Sequence, residues 1–213
     1  MGRLIVIEGL DGAGKRTLAD KLTAALAERG ASVERLAFPR YGAGVHADLI
    51  ADALHGRLGD LGDSVYGMAA LFALDRQAAA GDIRAALTGH DVVLLDRYVA
   101  SNAAYGAARL GQDAGGGFVA WVRALEIDRL GLPLPDLQLL LRVPPELAAA
   151  RSAHRERTES DRERDTWEAD DGLQARCAAV YDQLAADTWL GPWRVVDGSS
   201  TVDFPALAEL ALG

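Results

Sequence analysis

The stretch Gly9-Leu10-Asp11-Gly12-Ala13-Gly14-Lys15-Arg16-Thr17 constrains this chain more than any other. It follows a short apolar run, Leu4 to Glu8, and leads into an Ala/Leu-rich segment with helical spacing, so it reads as strand, glycine loop and helix in succession. From Gly9 to Lys15 it fits the pattern G-x-x-x-x-G-K-S/T. Glycines let the backbone curl until successive N–H groups point at one anion, the helix start adds partial positive charge, and the lysine reaches the outer phosphates. The phosphates of a nucleoside triphosphate are the expected ligand of Gly9 through Thr17. One position departs from the pattern: Arg16 stands where a Ser or Thr hydroxyl usually meets magnesium, and Thr17 comes one step late. Mg2+ is therefore expected to rest on carboxylates such as Asp11 and on the substrate phosphates.

Beyond the loop, apolar β-branched runs recur at Leu4–Glu8, Val33–Phe38, Asp91–Leu95, Leu137–Arg142 and Arg194–Val196. Between them lie segments at helical spacing: Leu18–Glu28, Val45–Leu58, Val65–Leu87, Val119–Leu130 and Leu173–Ala186. Such alternation predicts an α/β fold, a five-stranded parallel sheet with helices on both faces and ligands beyond the carboxyl ends of the strands. With no linker or repeat, the 213 residues read as a single domain. Two stretches read as mobile, the glycine-rich Gly106–Gly117 and the charged Arg151–Asp165, the latter part of a candidate lid over about residues 145–168.

Composition narrows the partners. A net charge of -9 argues against binding a nucleic-acid polymer, and the basic residues, nearly all arginine, suit small phosphate ligands. Cys177 is the only cysteine, which points to a reducing, cytoplasmic setting, and no membrane segment is expected. The four histidines, His46, His55, His90 and His154, have neither metal-ligand spacing nor a nucleophile to pair with.

A phosphate loop alone does not separate GTPases, transport ATPases and small-molecule kinases. Asn102 is the only asparagine, so an N-K-x-D guanine-reading motif is absent. A parallel sheet would deliver three segments to one mouth: Phe38-Pro39-Arg40-Tyr41, Asp96-Arg97-Tyr98, and Phe72 to Arg76. Leu94-Leu95-Asp96 reads as a strand ending in a carboxylate near magnesium or its waters.

Together with the loop, Phe38-Pro39-Arg40, Phe72 with Arg76, and Asp96-Arg97-Tyr98 with Ser101, Asn102 and Tyr105 resemble the thymidylate kinase family of P-loop kinases, its actinobacterial form most closely. That resemblance implies phosphoryl transfer from ATP to dTMP on a P-loop NTPase fold. It implies that Phe72 stacks on the thymine ring, Arg76 donates to its exocyclic oxygen, and Asn102 reads the remaining polar edge. Tyr105 would lie under the sugar, Asp11 near the 3′-hydroxyl or the magnesium, and Arg40 and Arg97 on the acceptor phosphate, with Phe38 and Pro39 completing the dTMP site. An aromatic face and a donor suit thymine, whereas cytosine presents an amino group to the arginine.

Members of this family carry a catalytic arginine either inside the phosphate loop or on the lid, and Gly12 at the loop position resembles the second arrangement. Lys15, Arg97 and the lid residues Arg151, Arg155 and Arg162 are then the catalytic candidates. Glu168 joins Asp11 and Asp96 as a candidate metal-organising carboxylate, and Trp167 replaces the more usual tyrosine. The resemblance also implies a homodimer, for which the Val65–Ala80 helix offers a face. Another P-loop nucleotide or deoxynucleoside kinase and a slow regulatory ATPase stay open as alternatives.

Overall fold

The computed structural model describes residues 2–158, 167 and 171–213. Strands β1 (Arg3–Glu8), β2 (Val33–Ala37), β3 (Val92–Asp96), β4 (Leu137–Arg142) and β5 (Trp193–Asp197) form one sheet in the order β2-β3-β1-β4-β5, and every pairing is parallel. Leu4 to Ile7 and Val92 to Leu95 are all buried, a continuous run that requires cover on both faces. Helices α1 (Lys15–Glu28) and α9 (Phe204–Leu212) pack together on one face, and α5 (Val99–Arg109) and α8 (Asp171–Ala186) pack together on the other. The edge strands β2 and β5 are largely half-buried or exposed.

A smaller apolar cluster of Ile50, Ala53, Leu54 and Met68 joins α2 (Val45–Leu54) to α3 (Val65–Ala78), and Phe72 packs against it. This cluster braces the helix that faces the mouth of the sheet. Helix α6 (Gly117–Arg123) continues into a wider π-helical turn, Ala124–Arg129, in which the Leu130 N–H donates to the Leu125 carbonyl. Helix α7 (Pro145–Thr158) begins over the glycine loop.

Three sequence expectations change here. The expected helix Val65–Leu87 is two helices, α3 and α4 (Ala80–Gly89), because the buried Ala79 shares its N–H between the Asp75 and Arg76 carbonyls and tightens the turn. The expected helix Val45–Leu58 stops at Leu54, where Gly56 adopts φ 71° and donates to the Ala53 carbonyl. The expected mobile loop Gly106–Gly117 begins inside α5: Gly106, Ala107 and Ala108 are buried against neighbouring helices. Glycine reads as a loop signal locally, but here its missing Cβ admits the ring of Phe118.

Candidate active site

The loop between β1 and α1 is built as its glycines require. Gly9, Gly12 and Gly14 have φ values of 144°, 77° and 100°, a region that side chains rarely adopt. A Cβ on Gly12 would lie 2.0 Å from the carbonyl oxygen of Ala148 on α7, so the start of that helix touches the loop at a residue without a side chain. Lys15 is buried, and its Nζ donates to the Gly9 and Leu10 carbonyls at 3.1 and 2.8 Å. Burial and the nearby Arg97 lower the Lys15 pKa to about 8, against the pull of Asp11, Asp96 and Glu8.

At the end of β3, Arg97 takes φ 66°, a conformation that costs a non-glycine residue about 1 kcal/mol or more. Its guanidinium donates to Asp11 and, at 3.1 Å, to Ser101, and lies 5.2 Å from the ring centre of Tyr105. The other Asp11 oxygen accepts from the Tyr105 hydroxyl at 2.6 Å. Burial opposes the charge on Asp11, but Arg97, Lys15 and Tyr105 outweigh it and hold its carboxyl well below the usual range.

Glu8 fixes the turn that carries Arg97. Fully buried, it accepts the backbone N–H groups of Tyr98 and Ser101 at the start of α5, together with the hydroxyls of Ser101 and Tyr181. Burial raises its carboxyl pKa despite those bonds.

A cavity of about 660 Å³ opens beside these residues. Asp11, Gly12, Gly14, Lys15, Arg16 and Thr17 line it. Phe38, Pro39, Asp96, Arg97 and Tyr105 also line it, as do Phe72, Arg76, Asn102 and Trp167. Trp167 stacks near Tyr105, with ring centres 6.2 Å apart, and meets Phe72 at 5.8 Å. The cation of Arg109 lies 4.4 Å from the ring centre of Trp167.

The thymidylate kinase family model matches residues 7–197. The chain belongs to the thymidylate kinase family. It is similar to the thymidylate kinase of Mycobacterium tuberculosis, at 58% identity over 193 residues, 91% of this chain and 90% of that protein. The human thymidylate kinase is 30% identical over 203 residues, 95% of this chain and 85% of that protein. The solved structure of thymidylate kinase from Candida albicans superposes with a TM-score of 0.73 at 26% identity, covering 98% of this chain and 90% of that one. The fold is therefore the P-loop NTPase type of the thymidylate kinases.

Set against what the family resemblance implied, most expected residues converge. Gly9, Leu10 and Ala13 shape the loop without lining the cavity. Arg40 is placed differently: its Nε and Nη2 donate to the Asp75 side chain and carbonyl at 3.0 Å, its backbone N–H donates to Asp75, and it does not line the cavity. The buried Asp75 draws it in, a partnership 35 residues apart that local sequence does not reveal. Of the lid arginines, Arg151 donates to the Ala13 carbonyl at 3.2 Å and Arg155 belongs to α7, while Arg162 and Glu168 lie outside the described residues.

Sequence reasoning missed Glu8 and Glu126. Both are acidic residues at positions where the local pattern calls for an apolar side chain: Glu8 ends the run Leu4–Ile7, and Glu126 lies four residues beyond Val122 on the buried stripe of its helix.

The magnesium expectation can be tested on the carboxylates. No group of three or more His, Cys, Asp or Glu is gathered among the described residues as a protein-only metal cage. Asp96 lines the cavity, and its buried Oδ1 has no hydrogen-bond partner among the described residues. A buried orphan oxygen is costly unless something completes it, and a hydrated cation held mainly by phosphates would. Asp11 already spends one oxygen on Arg97 and the other on Tyr105.

Proposed function

We propose that this chain catalyses ATP-dependent phosphorylation of dTMP, giving dTDP and ADP, as one P-loop kinase domain with residues 145–168 as its lid. One observation carries the proposal: a single cavity is lined both by the phosphate loop and by Phe72, Arg76 and Asn102. The triphosphate of ATP displaces the Gly9 and Leu10 carbonyls as partners of Lys15, and Arg16 adds charge from the first turn of α1. Arg97 turns from Asp11 towards the acceptor phosphate, and Arg40 keeps both Nη1 hydrogens and one on Nη2 for the same anion.

An ionised phosphate oxygen of dTMP forms the new bond to the γ-phosphorus, while the bond to the β–γ bridging oxygen breaks and ADP leaves with the electron pair. No general base is required. Alignment and charge neutralisation by Lys15, Arg97 and the lid arginines Arg151, Arg155 and Arg162 supply the acceleration. Asp96 would hold Mg2+, with Asp11 and Glu168 as the further carboxylates that the family resemblance implies, and the metal would supply charge neutralisation at the phosphates. Tyr105, buried at the cavity wall, would lie under the sugar and leave little room for a 2′-hydroxyl.

The enzyme acts in the reducing cytoplasm, which the lone buried Cys177 supports; no helix among the described residues is long and apolar enough to cross a membrane. It works as a homodimer joined through α3, where Tyr66 and Leu74 are exposed two turns apart.

The test is a coupled assay of the purified protein with Mg2+, ATP and a panel of dTMP, dUMP, dCMP, AMP and GMP. Conversion of dTMP in preference to the others is expected. Conversion of none, or preference for a purine or for dCMP, overturns the proposal.

A further inference from the structure

We infer that Glu126, a residue outside the cavity lining, sets the hydrogen-bonding polarity of the base site and so selects a keto over an amino pyrimidine. The inference rests on the dTMP site proposed above and deepens it. Glu126 has 0% exposure, and its carboxylate takes Nε and Nη2 of Arg76 at 2.6 and 2.8 Å, a bidentate buried ion pair. One of the same oxygens accepts from Asn102 Nδ2 at 2.8 Å, and that nitrogen also donates to the Ala69 carbonyl at 2.9 Å.

An amide can be turned over, so its orientation must be argued from its neighbours. A carboxylate paired with arginine and a backbone carbonyl are both acceptors only, so the reversed amide would set oxygen against oxygen twice. Asn102 therefore spends both amide hydrogens away from the ligand, and Oδ1 is the atom it has left for the cavity it lines. Arg76 is likewise turned by Glu126 so that Nη1 remains for the base.

The cavity thus offers one acceptor beside one donor. Thymine and uracil present N3–H and O4, which complement that pair; cytosine presents an unprotonated N3 and an amino group, which oppose it at both positions. The specificity rests on a single carboxylate that binds both readers at once. The π-helical turn Ala124–Arg129 carries this carboxylate at the end of α6, which packs on α5, the helix of Asn102.

Glu126→Gln keeps the volume but replaces one acceptor oxygen with a donor, which frees Asn102 to turn over. The KM for dTMP is expected to rise about 10- to 100-fold while kcat and the KM for ATP change less than about twofold. The ratio of kcat/KM for dTMP over dCMP should fall at least about tenfold. A ratio equal to that of the wild type overturns the inference, because a merely structural Glu126 would weaken all substrates alike.

Should the variant not fold, the wild-type chain decides. Asn102 is the only asparagine, so selective 15N-asparagine labelling gives one side-chain amide pair in an NMR spectrum. Both hydrogens should exchange slowly with solvent in the free enzyme and stay protected when dTMP is added. Exchange within the dead time, or loss of protection on dTMP binding, overturns the assignment. Since protection is read before any substrate is present, and dTMP turnover by the wild type is read separately, failure of the proposed function and failure of this inference are distinguishable.

Discussion

At the scale of single residues, the site stores its charges against one another until phosphates arrive. Lys15 spends its ammonium on two loop carbonyls, and Arg97 spends its guanidinium on Asp11. Because burial lowers the Lys15 pKa to about 8, the free enzyme loses that charge as pH rises through this value. The expected outcome is a basic limb in kcat/KM for ATP with an apparent pKa near 8. By contrast kcat, which reports the loaded enzyme, should stay level to higher pH, since bound phosphates raise the lysine. A flat kcat/KM between about pH 7 and about pH 9 would sink this account of Lys15. The sign for stability is opposite. The unfolded lysine holds its proton up to about pH 10.4, so between about 8 and that value the unfolded chain binds more protons and this group makes the fold more stable as pH rises.

At the scale of elements, the base site depends on how α5 and α6 meet. Gly106 on α5 lets the ring of Phe118 approach until a Cβ would stand 2.0 Å from Cε1 and 2.2 Å from Cζ. Gly106→Ala should overpack this contact by about 1 to 3 kcal/mol and lower Tm by about 2 to 10 °C. It should also raise the KM for dTMP, since Asn102 rides on one helix and Glu126 beyond the end of the other. Calorimetry beside steady-state kinetics checks both effects, and an unchanged Tm would mean that Phe118 yields without cost. This contact also explains which features could be read from the chain. The strands and the phosphate loop are local signals, and they appear where the pattern put them. Gly106 was misread because a glycine signals a turn by itself, while its packing partner lies in the next helix. The break at Ala79 was missed because an alanine run carries no mark of where a helix changes direction.

At the scale of the whole molecule, legibility falls with separation along the chain. Motifs carry many of the residues that line the cavity, but the bonds that orient side chains around it span long distances: Glu8 to Tyr181, Asp75 to Arg40, Glu126 to Arg76. Only folding reveals such pairs. The outer face of α3 belongs to this scale too, for Leu74 is a large apolar side chain with 39% exposure on a helix whose other face braces the nucleotide site. Leu74→Glu should convert a homodimer to a monomer by light scattering while circular dichroism stays unchanged. A wild-type monomer, or a dimer that survives the substitution, would remove α3 as the joining face.

The meeting of Gly12 with Ala148 limits how this kinase could be re-engineered or could evolve. An arginine grafted at position 12 would have to evict the first turns of α7 before it reached a phosphate. In this chain an arginine at position 12 would therefore demand that the loop and the start of α7 be rebuilt together.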